Sequence, residues 1–126
     1  MKNKILFVLS LLFGLMFINA GLNKFYNYIP VPDDISEDAM KIFIAMSEII
    51  WLMPLIAIVE IIGGILIIIP QLRALGALVN LPIMTGILIH HITLGEGILI
   101  PLIMFSILIW IIYEERKKLL PLLKKQ

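Results

Sequence analysis

Residues 49–69 read IIWLMPLIAIVEIIGGILIII, and Glu60 is the single ionisable side chain in the run. At about 1.5 Å of rise per residue, roughly 20 apolar residues cross the ~30 Å hydrocarbon core of a bilayer, so this run is long enough to be a membrane span. Glu60 then lies near mid-membrane. A carboxylate there costs at least about 2.5 kcal/mol on insertion scales, which predicts that Glu60 faces the protein interior, is paired, or is protonated. The whole chain agrees with that reading: it is 61% hydrophobic, against roughly 45–50% apolar residues in soluble domains, with a mean hydropathy of +1.08. Its 126 residues contain no linker, repeat or low-complexity stretch, so residues 1–126 form one domain. Cysteine is absent, which excludes disulfides, thiolate metal sites and dithiol relays; electrons in any redox role belong to another molecule. A net charge of +1 singles out no partner other than the lipid bilayer, and no nucleic-acid partner is expected.

Working outward, four spans emerge, at about 5–22, 54–69, 74–93 and 98–113. The first follows Lys2 and Lys4 and reads as an anchor, because bulky Ile18 precedes the one plausible cleavage point at Ala20. Ser10, Gly14, Phe17 and Gly21 recur at helical spacing and offer a partly small stripe for a packed neighbour. Between the first two spans lies a polar interval with Pro30, Pro32 and an acidic cluster from Asp33 to Asp38. Ser36 followed by acids and apolar residues predicts a helix start. The stretch from Lys41 to Ile69 is too long for one straight span, and Pro54 supplies a reason to divide it. The expectation is therefore a short interfacial or re-entrant helix up to about Met53, ahead of the second span. Gln71 to Arg73 is a very short turn, so the second and third spans are antiparallel neighbours. The fold class is an all-α membrane protein, a four-transmembrane-helix bundle.

Basic residues set the orientation. With the N-terminus inside, Lys2, Lys4, Arg73, Arg116, Lys117, Lys118, Lys124 and Lys125 are cytoplasmic, and Lys24 and Lys41 are outside. Both termini are thus expected in the cytoplasm of a bacterial-type plasma membrane. The sequence EERKKLLPLLKKQ after the fourth span reads as a polar, positive-inside tail.

Two groups of polar side chains need accounting for. Glu60 and Asn80 are at comparable depth counted from the turn at Gln71–Arg73, so Glu60 is expected to be protonated and hydrogen-bonded to Asn80. Gly63 and Gly64 would let another backbone cover the carboxyl group. Toward the outer leaflet stand Asn23, Lys24, Glu48, His90 and His91, with Glu96 beside them. They are either a mouth above Glu60 that contacts a ligand, or ordinary interfacial residues, with Lys24 snorkelling to the surface. Adjacent histidines on a helix diverge by about 100°, and spacing places no third ligand, so no metal is assigned.

These residues carry a resemblance. FGLMFINAGLNKF at residues 13–25, WLMPLIAIVEIIGGILIIIP at 51–70 and ALGALVNLPIMTGILIHH at 74–91 resemble the DoxX family of small four-helix membrane proteins. The resemblance implies an integral membrane protein in which Asn23, Lys24, Glu60, Gly63 and Gly64 occupy the matching polar and small positions. It also implies a link to quinone-dependent sulfur oxidation or to membrane oxidoreductase assemblies, as for some relatives. No independent catalytic machinery is evident. Two readings follow. In one, the bundle is a component of a redox-associated system that binds a quinone-like or other amphiphilic molecule through Asn23, Lys24, Glu48, Glu60, Asn80, His90 and His91, with an oxidoreductase partner or a second copy of itself. In the other, it is a non-catalytic scaffold or assembly factor whose interior polar residues hold the helices.

Overall fold

The structure, a computed structural model, describes residues 2–124; Lys125 of the expected basic tail lies outside them. Helix α1 spans Lys2–Tyr26, α2 Glu37–Glu48, α3 Leu52–Ile68, α4 Arg73–Leu94, α5 Leu99–Glu114 and α6 Arg116–Leu119, with 3-10 turns at Pro70–Leu72 and Leu120–Leu123. Among the described residues there is no strand. Helix α1 packs on α3, α3 on α4, α4 on α5, and α5 returns to α1, closing a ring. Two helical segments, Lys2–Tyr26 and Pro70–Leu94, are long and apolar enough to cross a membrane, and α2 with α3 makes a third candidate bent by 94°. Helix α5 is apolar but shorter, at 16 residues.

The helix ends follow from their residues. The Ser36 side chain accepts from the Ala39 N–H at 3.2 Å, the N-cap bond expected of it. Helix α1 stops where Asn27 adopts a positive φ of 51°, a conformation Asn tolerates. Asn23 accepts the Asn27 N–H on its backbone oxygen at 2.7 Å and the Ile29 N–H on its side-chain Oδ1 at 2.7 Å. The Tyr28 hydroxyl donates to both oxygens of Asn19, so Asn19 and Asn23 tie down the chain leaving α1. At the end of α4, Gly95 takes φ 73° and donates its N–H to the His91 oxygen at 2.9 Å, a left-handed cap that glycine adopts without strain.

One boundary departs from expectation. The break between the short helix and the second span falls at Ile49–Trp51, so the short helix stops at Glu48 and Pro54 lies inside the first turn of α3. A proline there loses nothing, because first-turn N–H groups have no intrahelical partner. Pro82 likewise sits inside an unbroken α4.

The small-residue stripe of α1 packs on α3. A Cβ on Gly14 would lie 2.6 Å from the Gly64 oxygen, and one on Gly64 equally close to the Gly14 oxygen; a Cβ on Gly21 would lie 2.6 Å from the Ala57 oxygen. The backbones therefore touch at these crossings. Phe13, Phe17, Ile67, Ala77, Met84, Leu108 and Ile111 fill the interior, with the two phenyl rings 4.6 Å apart. The outward faces are apolar too, as at Leu12, Ile62, Ile92 and Ile103.

Charges collect at the ends. At the α3–α4 turn, buried Arg73 donates to the Ile67 oxygen at 3.1 Å and lies 3.8 Å from Glu115. Lys118 binds Glu115 at 3.1 Å and donates to the Pro70 oxygen at 3.2 Å. Lys2 pairs with Glu114 at 3.0 Å. The polar tail is thus a clasp that fastens the end of α5 to the α3–α4 turn, beyond the simple anchor expected of it.

Candidate functional site

Midway along α3, Glu60 is 1% exposed and its Oε1 lies 2.6 Å from Lys24 Nζ. The cause is helix direction. Side chains lean toward the N-terminus of their own helix. Crossings of Gly14 with Gly64 and of Gly21 with Ala57 show that α1 and α3 run antiparallel, so Lys24 leans down the bundle and Glu60 leans up, and the two converge. The contact is an ion pair by distance, and Oε1 is sealed from solvent beneath it. Lys24 turns inward, the alternative to snorkelling, and one expectation changes: Lys24, not Asn80, is the partner of Glu60.

Asn80 is fully buried and donates from Nδ2 to the Gly63 oxygen at 3.1 Å. A Cβ on Gly63 would collide with the Asn80 side chain, so this glycine exists to let the amide lie flat on α3. Asn80 is a clamp between α3 and α4, one turn along α3 from Glu60.

Above the ion pair is a cavity of about 430 Å³, lined by Lys24 of α1, by Ala39, Ile42, Phe43 and Met46 of α2, by Met53, Ile56 and Glu60 of α3, and by Pro82, Ile83, Gly86, Ile87, His90 and His91 of α4. A second cavity of about 350 Å³ lies between α1, α4 and α5; Glu60, Ile87 and His91 border both. The cavity walls are mainly apolar with a few polar groups, the composition of small-molecule sites, and the larger volume falls within the roughly 300–1,000 Å³ usual for them. Of the seven residues expected at a site, Lys24, Glu60, His90 and His91 share the larger cavity. Asn23 caps α1, Asn80 clamps helices, and Glu48 is exposed at the end of α2; none of these three borders either cavity. The histidine rings stand at 5.3 Å between centroids and 78° to one another, as their divergence on the helix requires.

Sequence reasoning did not find the cover. Helix α2 supplies four lining residues yet buries none of its own. It meets α3 through the short bend at residues 49–51, and the Ser36 hydroxyl donates to Glu96 Oε1 at 2.6 Å, fastening its start to the α4–α5 loop. The signal was present in the acids and apolar residues after Ser36, which predicted an interfacial or re-entrant helix but not what it would cover.

Apolar outer faces on every long helix, charges collected at the two ends apart from the buried Lys24–Glu60 pair, and a mainly apolar cavity beneath a short cross-lying helix define an α-helical membrane protein. The chain belongs to the DoxX family: the family model, described as DoxX, matches residues 5–92, which hold Lys24, Glu60, Asn80, His90 and His91. Family membership and the apolar helices together mark it as a membrane protein. No curated protein and no solved structure matches it.

Proposed function

We propose that the chain is a four-span plasma-membrane protein, both termini cytoplasmic, that binds a quinone-like amphiphile in the cavity under α2 as a component of a redox-associated membrane assembly. The observation that carries this reading is the Lys24–Glu60 pair at the border of a mainly apolar cavity. A buried ion pair often adds little stability compared with apolar residues of similar volume, so its presence where the cavity begins favours a recognition role. In that role Lys24 donates to a headgroup oxygen, Glu60 holds the ammonium in place, and His90 and His91 contact the polar head while Phe43, Met46 and Ile56 surround its apolar part. When bound, a quinone would supply the redox chemistry; this chain's residues bind and orient it.

The scaffold reading has support of its own in the Asn80–Gly63 clamp and the Arg73–Glu115 clasp, neither of which borders the cavity. Equilibrium binding of decylbenzoquinone to the purified protein in detergent separates the two. The binding reading expects saturable association that is lost in Lys24→Met while the variant stays folded. Absence of binding by the wild type favours the scaffold. A cytoplasm-active reporter fused after Gln126 tests the topology; activity only from a periplasm-active reporter would overturn it.

A further inference from the structure

We propose that the site selects the reduced, hydroxyl-bearing form of its quinone-like ligand, and that His91 sets this preference. The inference rests on the binding reading above. His91 Nδ1 lies 3.1 Å from the backbone oxygen of Glu96. A carbonyl oxygen can only accept, so Nδ1 carries a proton, and in that Nδ1–H tautomer Nε2 is the acceptor. The loop holds the ring in this pose. Gly95 turns the chain at φ 73°, and Gly97, at φ 64°, passes so close that a Cβ there would stand 3.2 Å from Nδ1.

The imidazole fixed in this way borders both cavities together with Glu60. One wall therefore offers an acceptor, His91 Nε2, and Lys24 offers only donors. A headgroup complementary to both must donate and accept. A hydroquinone hydroxyl does both. A quinone carbonyl satisfies Lys24 but leaves the imidazole acceptor unpaired in mainly apolar surroundings, a penalty that binding selectivity reads directly.

The test is equilibrium binding, under argon, of decylhydroquinone, its dimethyl ether, decylbenzoquinone and 1-decanol to the full chain in dodecyl maltoside. Concentrations are expressed as mole fraction in detergent, so that partitioning of the common decyl chain cancels. Wild type is expected to bind the hydroquinone about 10-fold more tightly than the quinone or the ether, the worth of roughly one net hydrogen bond. His91→Phe should bind all three ring compounds within about 2-fold of one another. His91→Gln, whose amide both donates and accepts, should lose the preference as well and serves where the Phe variant does not stay monodisperse. Equal affinity for hydroquinone and quinone in the wild type would overturn the inference and leave the binding reading standing. A preference that persists in folded His91 variants would also overturn it. So would decanol binding as tightly as the hydroquinone, which would assign the site to a simple lipid hydroxyl. No binding of any ring compound would remove the binding reading and this inference with it.

Discussion

Breaking the Lys24–Glu60 pair from either side should have unequal consequences, because the two partners differ in exposure. At 2.6 Å and an effective dielectric of about 20, the attraction is roughly 6 kcal/mol before desolvation takes most of it back. Lys24→Met leaves Glu60, with a side chain 2% exposed, without its counter-charge, and should destabilise by about 3 kcal/mol. Glu60→Leu leaves Lys24, with a side chain 21% exposed and a stem long enough to reach the surface, at a cost of roughly 1–2 kcal/mol. The double variant has no buried charge and should lie within about 1 kcal/mol of wild type, since an apolar pair of similar volume replaces an ion pair at little cost. The assay is SDS titration of each purified variant in mixed micelles, followed by far-UV circular dichroism. A double-mutant cycle closing with coupling of about 3 kcal/mol supports the pairing. Additivity within about 0.5 kcal/mol, or greater damage from Glu60→Leu than from Lys24→Met, would refute it.

Two further outcomes follow from packing. Gly64→Val forces a Cβ to within 2.6 Å of the Gly14 oxygen and should abolish the folded monomer on size-exclusion chromatography. Gly86→Ala, with nothing within 4 Å of the added carbon, should be neutral or stabilising by up to about 1 kcal/mol. The same titration ranks them, and equal effects would contradict the α1–α3 crossing. Ser36→Ala removes the side-chain fastening of α2 to Glu96 and should speed both association and release of decylbenzoquinone in stopped-flow, with little change in affinity. Unchanged rates would mean that α2 does not cover the cavity in solution.

Much of the fold was legible because apolar length and helix caps are local properties. Ser36 announced the start of α2, the small stripe of α1 announced its packing face, and the short segment after Pro70 made α3 and α4 antiparallel neighbours. The break before α3 was misplaced because Pro54 was read as a breaker, although a first-turn proline leaves the helix intact. The partner of Glu60 was missed because depth was counted along α3 and α4 alone. The lean of side chains on antiparallel α1 and α3 would have brought Lys24 to it. Asn80 answered to a different need, an amide lying against Gly63. Glu115 and Lys118 have the i,i+3 spacing of a helical ion pair, but Arg73 with Glu115 and Lys118 with the Pro70 oxygen join residues far apart in sequence, and no spacing rule brings those together.

The central claim, that an amphiphile occupies the cavity under α2, is tested most directly by photolabelling the protein in nanodiscs with an azido-benzoquinone carrying a decyl chain, then mapping adducts by peptide mass spectrometry. The expected adducts fall on cavity residues such as Phe43, Met46, Met53 and Ile87, and excess unlabelled decylbenzoquinone removes them. Adducts spread over lipid-facing positions such as Leu12, Ile62 and Ile103, undiminished by competitor, would contradict the claim.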